Sequence, residues 1–454
     1  MTDQKSYAKA FIAVTSLFFI WGFLTVMVDA LVPRLKAVFE LSNLEAGLVQ
    51  FAWFTAYFVV SIPAGLILRK IGYKKGIILG LCTMAVGCLI FFPAADTRVF
   101  FYFLTALFIL AGGMAMLQVA ANPFVAALGP EKTASSRLNL SQAFNSLGAT
   151  IAPILSAAYL LGDKILGSDA IGDLAEAEQN AYYASEASAV QGPFMILAGV
   201  LLLMAAAFFV VKLPTIQSAA NNVKWSKVFS FPNLTMGALG IFLYVGAEVA
   251  LGSYYVLYFV DMGLDEVVKA SPTLSSTVDF IARTFKGTSI GELDAKGIMG
   301  LFLFFYWGGA MLGRFIGSFL TRRIKPSIVL SVFATGAILM LVVSMMTGGL
   351  TAMWAALLVG LFNSIMFPTI FTMSIHKLGD YKAFGSGILC TAIVGGAVIP
   401  PLYGLLADNS WTSAGGAAAA YQSAFILPML CYAYICFYGI WFKRWEAKPE
   451  ISPA

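Results

Sequence analysis

The chain is 454 residues long, 60% of them apolar and 11% charged, with a mean hydropathy of +0.85. Soluble domains carry roughly 45–50% apolar and about 25% charged residues, so the composition excludes a soluble domain and points to a membrane protein. The net charge of +5 follows from how basic residues are distributed about the membrane, and calls for no nucleic-acid partner.

A membrane-crossing helix needs roughly 20 apolar residues. Twelve runs meet that length: 11–33, 46–68, 76–95, 99–126, 138–161, 192–211, 234–260, 297–320, 327–347, 351–376, 384–406 and 420–442. The first lacks a small-residue cleavage site after a short apolar core, so it reads as a span and not as a leader. The alternating short segments of a barrel are missing, and the fold class is an all-α membrane bundle.

In the first run Trp21, Thr25 and Asp29 recur at four-residue steps and so share one helix face. A ring, a hydroxyl and a carboxylate in one stripe suit a sugar, whose C–H faces stack while its hydroxyls bond. Asp29 and Glu248 are the only acids inside the runs, and a carboxylate there costs on the order of 2.5–3.5 kcal/mol, which marks functional positions. The alternative for Asp29 is a solvated place near the outer headgroups, close to Arg34. The fourth and fifth runs add Gln118, Asn122, Gln142 and Asn145, with Asn139 nearer one end. Amides both donate and accept, matching hydroxyls without burying a charge. Interhelical bonding is the competing role for any single one. Pro123 frees a backbone carbonyl that needs a partner or a water-lined cavity.

Segments 162–191 and 261–296 are long outer loops, readable as surface helices, a lid or plain tethers. Between them, 214–233 is a polar linker separating residues 1–213 from 234–454. Glu248 lies mid-run between Tyr244 and Tyr255, with a structural pairing to Arg314 as its alternative role. Arg314 is the one base inside a run, and is expected near the inner gate. Asn363, Ser364, Thr369 and Thr391 extend the polar wall, and His376 falls at the headgroup level of the tenth run. The five cysteines all lie in apolar runs without paired loop spacing, so free buried thiols are expected, with no disulfide or metal cluster.

The two halves echo each other. Gly65–Lys75 after the second run resembles Gly317–Lys325 after the eighth; Gln118 and Pro123 parallel Asn363 and Pro368; Gly148, Ala149 and Pro153 parallel Gly396, Ala397 and Pro401. Twelve spans place both termini on one side. Most of the 28 Lys and Arg then fall on that side, which the positive-inside rule makes cytoplasmic.

Parallel six-helix repeats are how the major facilitator fold is built. The stretch Phe51–Gly80 resembles the loop between spans two and three of that superfamily, except that Arg69 stands where an Asp is usual, so that loop's charge relay does not carry over. Asn43-Leu-Glu-Ala-Gly47-Leu48, Ala120-Ala-Asn122-Pro123-Phe124, Leu128-Gly129-Pro130-Glu131, Arg137-Leu-Asn139-Leu140 and Phe144-Asn145-Ser-Leu-Gly148-Ala149 resemble the fucose–galactose–glucose:proton symporter family over nearly the whole chain. The resemblance implies a proton-coupling role for Asp29 and sugar contact for Gln142 and Asn145. Gln118 stands where fucose permeases have glutamate and Glu248 where they have glutamine, an exchange similar to the glucose/galactose branch. Relatives in that branch use a proton or sodium.

The expectation is a symporter, not an enzyme, that imports a hexose, glucose or galactose first, by alternating access. Asp29 would hold the coupling cation, a proton or a sodium ion; no other cofactor or metal is expected. Gln118, Asn122, Gln142, Asn145, Glu248 and Asn363 would bond to the sugar, with Trp21 or Tyr255 stacking on it. The partners would be the sugar and membrane lipid, the protein a monomer of the bacterial inner membrane. A fucose:proton permease, or a drug or lipid exporter on the same fold, is the alternative. A polytopic enzyme would need more titratable groups at one depth, and a receptor some further signalling domain.

Overall fold

The computed structural model describes residues 2–38, 43–97, 99–160, 174–214, 225–228, 230–408 and 417–447. Side chains are described within them except at 2–6, 28–38, 43–48, 95–96, 154–160, 180, 186–190, 225–226, 286 and 417. In hydrocarbon every backbone N–H and C=O must be paired inside the protein, so long apolar runs fold as helices. The first six are α1 (Thr2–Val38), α2 (Asn43–Ile71), α3 (Tyr73–Thr97), α4 (Phe100–Ala127), α5 (Ala134–Leu160) and α6 (Glu176–Val210). Then come α7 (Pro232–Asp261), α8 (Ala295–Arg323) and α9 (Pro326–Met346). The last three spans are each broken: α10a (Gly349–Asn363) and α10b (Met366–Ser374), α11a (Lys382–Thr391) and α11b (Gly395–Ala407), α12a (Ala417–Ala424) and α12b (Ile426–Glu446).

Among the described residues, 11 spans are long and apolar enough to cross a membrane, and α5 is a further helix of 27 residues. The all-helical expectation holds, with no strand among the described residues. The helices run past the expected limits. Ala-rich sequence is a strong helix former, and α6 starts at Glu176, inside the stretch expected as an outer loop.

Pairings among the first six helices recur among the last six. Just as α1 packs on α5, α7 packs on α11b; α3 with α6 matches α9 with α12b; α2 with α4 matches α8 with α10a. The two sets meet along α2 against α11a and along α5 against α8. Small residues bring backbones together: a Cβ on Gly87 would stand 2.6 Å from the Leu110 nitrogen, so α3 and α4 touch directly.

The 261–296 segment forms surface helices Leu264–Ala270 and Pro272–Lys286. Pro272 opens the second, and Gly287, at φ +65°, closes it. That helix buries Val278, Ile281 and Ala282 and packs on α5 and α8. The Ile290 N–H and the Arg283 guanidinium hold the Asp279 carboxyl below its usual range. Of the expected linker, 215–224 and 229 lie outside the described residues.

Candidate functional site

The first wall of the mid-bundle site comes from α1, α4 and α5. Gly22 and Gly148 set the α1–α5 approach: a Cβ on Gly22 would stand 2.0 Å from the Asn145 carbonyl oxygen. At that contact Asn145 Nδ2 donates to the Phe18 carbonyl at 3.0 Å. Trp21, half-buried, lies 5.5 Å from the Phe18 ring, and Thr25 donates back to the Trp21 carbonyl at 3.0 Å. Asp29 lies on α1, but its side chain is outside the described residues. Gln118 donates to the Tyr57 hydroxyl of α2, while its Oε1 has no partner among the described residues. Asn122 lies against the Cys390 thiol of α11a, and the Gln142 Nε2 lacks a partner among the described residues.

The facing wall comes from α7, α8, α10a and α12b. Glu248, half-buried, accepts a bond from the Tyr244 hydroxyl at 2.7 Å, one turn earlier on α7. The Tyr306 hydroxyl lies 3.4 Å from the Glu248 carbonyl, and Asn363 Nδ2 donates to Tyr306 at 2.8 Å and Tyr432 at 3.4 Å. The Asn363 Oδ1 and the Tyr255 hydroxyl have no partner among the described residues. Tyr255 is fully enclosed, its ring against Phe259, Tyr306 and Phe425. Sequence reasoning missed Tyr57, Tyr306 and Tyr432. A signal existed for Tyr306, which lies eight residues before Arg314 and so shares its helix face.

Arg314 joins the walls. Proline removes the N–H that would pair with the carbonyl four residues earlier, so Pro368 frees the Ser364 carbonyl; Arg314 Nε donates to it at 3.2 Å. Its Nη1 reaches across to α5, to the Gln142 carbonyl at 3.3 Å and to the Ser146 hydroxyl. Between its two readings, pairing with Glu248 or support of the gate, the hydrogen bonds favour the second. Pro123 acts the same way on α4: the freed Val119 carbonyl accepts from Ser386 Oγ of α11a at 2.8 Å.

Toward the end of the bundle carrying Arg69, Lys70, Arg322 and Arg323, the basic end, the two sets of helices are bonded together. Ser136 and Ser318 exchange hydroxyl–carbonyl bonds of 2.7 and 2.9 Å. Asn139 donates to Thr369 at 3.3 Å, and the Ser135 and Thr372 hydroxyls meet. His376 Nδ1 lies 3.1 Å from Glu131 Oε1, its ring against Phe442 and Trp445. His376 is thus a tie between the two sets, which its headgroup-level placement in the sequence did not reveal. No cluster of His, Cys, Asp and Glu among the described residues could hold a metal.

A sequence model of the Major Facilitator Superfamily matches residues 10–401. The glucose/galactose transporter of Brucella abortus biovar 1 (strain 9-941) is 43% identical over 442 residues, covering 97% of this chain and 95% of that protein. The L-fucose-proton symporter of Escherichia coli (strain K12) is 34% identical over 442 residues, covering 95% and 93%. A solved transporter structure, FucP in the outward conformation, superposes with a TM-score of 0.82 at 32% identity, covering 96% of this chain and 99% of that one.

Proposed function

This chain belongs to the Major Facilitator Superfamily, and from that membership we propose that it is a cation-coupled symporter importing glucose or galactose by alternating access. The observation that supports the substrate class is the set of unsatisfied polar atoms at mid-bundle. Gln118, Gln142, Asn363 and Tyr255 each bury a polar atom with no partner among the described residues, and Asn122, against the Cys390 thiol, has amide capacity to spare. Buried polar groups are nearly always paired in native proteins. A ligand with hydroxyls around an apolar ring supplies the missing donors and acceptors in one step. Trp21 and Asn145, only half-buried, would meet it first.

The two sets of six helices, 1–213 and 234–454, rock about this site. The bonds of Ser135, Ser136, Asn139, Glu131 and Arg314 across the seam close the basic end, as in an outward-facing state. Each such bond is worth about 0.5–1.5 kcal/mol net, a sum that binding of sugar and cation together can offset. Asp29 is the cation site in this reading, for a proton or sodium. One charge moving through 100 mV supplies about 2.3 kcal/mol, roughly a fiftyfold accumulation of sugar. The protein sits as a monomer in the bacterial inner membrane, its basic end and both termini in the cytoplasm.

Uptake of labelled glucose, galactose and fucose into vesicles, with proton and sodium gradients imposed separately, tests substrate and ion together. Gradient-driven uptake of glucose or galactose is expected. Uptake of fucose alone would make it a fucose permease, and uptake of no sugar would remove the proposal.

A further inference from the structure

A cavity of about 660 Å3 opens at the basic end, where Gly129, Glu131 and Lys132 after α4 face α8, α9, α10b and α12b. Small-molecule sites span roughly 300–1,000 Å3, and none of the mid-bundle amides nor Glu248 lines this one. Lys132, Arg322, Arg323, Lys325 and Lys382 line it, against the acids Glu131 and Glu446. Both acids are engaged, Glu131 with His376 at 3.1 Å and Glu446 with Lys325 at 3.7 Å. Arg323 lies over the Phe319 ring. Lys132 and Arg322 have no acidic partner within ion-pair distance among the described residues, so the wall presents positive charge that is not neutralised.

A second observation does not depend on charge. Ser327, in the first turn of α9, lines the same cavity with 2% exposure, and its hydroxyl has no hydrogen-bond partner among the described residues. Pro326 has no N–H, and the N-cap residue Lys325 gives no side-chain cap. The first bonds of the helix are made by Ile328 and Val329 to the Lys325 carbonyl. The Ser327 hydroxyl and the positive end of a 21-residue helix therefore meet at the cavity without an acceptor. That pairing of free donors, a helix N-terminus and a guanidinium is the chemistry that holds phosphate.

We propose that this cavity binds a phosphate group, held by Ser327, the α9 N-terminus and Arg322 on one side of the seam and by Lys132 on the other. Occupancy ties the two sets of helices together at the end that must part for inward release, and so slows transport. The inference stands apart from the identity of the transported sugar. The phosphate belongs either to a small soluble molecule, for which the volume leaves room for a hexose phosphate, or to a lipid headgroup.

The test uses the full-length protein and follows its thermal unfolding. One arm adds inorganic phosphate or glucose 6-phosphate in detergent, with chloride at matched ionic strength. The other compares nanodiscs of phosphatidylglycerol with nanodiscs of phosphatidylcholine. Stabilisation by the soluble probes, roughly tenfold weaker in apparent affinity for Ser327→Ala and Arg322→Gln and unaltered in Lys75→Gln, supports a soluble phosphate ligand. Stabilisation by phosphatidylglycerol alone, lost in the same two variants, supports the lipid source. No stabilisation in either arm, or stabilisation equal in Ser327→Ala, Arg322→Gln and the parent, overturns the site. A variant that fails to fold is identified by the loss of its cooperative unfolding transition, and Lys132→Gln then replaces it.

Discussion

Single residues at the seam carry functions that only their neighbours define. The Glu131–His376 bond spans the two sets of helices, and the His376 hydrogen bond draws the Glu131 carboxyl below its ordinary value of 4.5. A carboxyl lowered in the folded state adds stability above its unfolded value and loses it as pH falls through the lowered one. Thermal unfolding should therefore show the parent more stable than Glu131→Gln above pH 4.5, with the difference fading as the pH drops below it. A constant difference across that range would show that the carboxylate does not hold the tie. Gly22 is a residue of another kind, required by space alone. A Cβ there meets the Asn145 carbonyl at 2.0 Å, so Gly22→Ala should force α1 from α5 and cost about 1–3 kcal/mol, the usual range for overpacking. Unfolding in denaturant measures this, and an unchanged midpoint would contradict the packing.

At the scale of elements, a joint in a span is set by backbone pairing and not by hydropathy. The apolar runs 351–376, 384–406 and 420–442 read as unbroken spans, because hydropathy records length and not backbone pairing. Pro368 nonetheless leaves the Ser364 carbonyl open just where α10a gives way to α10b, and Arg314 fills it. The sequence did show that Pro123 must free a carbonyl, but its partner, Ser386, is 267 residues away and invisible to any local pattern. Ser386→Ala should leave the Val119 carbonyl unpaired against α11a, at a cost of about 1–3 kcal/mol, and loosen the closed basic end. Thiol labelling of a cysteine placed at Ser135 should then be faster than in the parent; equal rates would mean that this bond does not hold the seam.

For the molecule as a whole, the repeat was legible because two halves that bury the same faces keep the same marks. Gln118 and Pro123 parallel Asn363 and Pro368, and the helices bearing them pack alike. Asp29 and Glu248, as carboxylates in oil, were singled out from the sequence; Glu248 lies beside Tyr244 in the structure, and the Asp29 side chain is outside the described residues. The site's tyrosines were not singled out: Tyr57, Tyr306 and Tyr432 are ordinary in an apolar run until a fold brings their hydroxyls to Gln118 and Asn363. His376 was likewise ambiguous, for its meaning lies in Glu131 on a distant loop. Coupling belongs to this scale, because both walls must respond to one ion. Asp29→Asn should abolish gradient-driven accumulation while leaving sugar exchange, and accumulation equal to the parent would take Asp29 out of the coupling step.

Sugar affinity of the purified protein, read by calorimetry with glucose and galactose, bears most directly on the unsatisfied amides. If they are the sugar's hydrogen-bond partners, the parent binds, and Gln142→Ala and Asn363→Ala each bind roughly tenfold more weakly while unfolding at the parent's temperature. Equal affinity in all three proteins would mean that the hexose is held elsewhere.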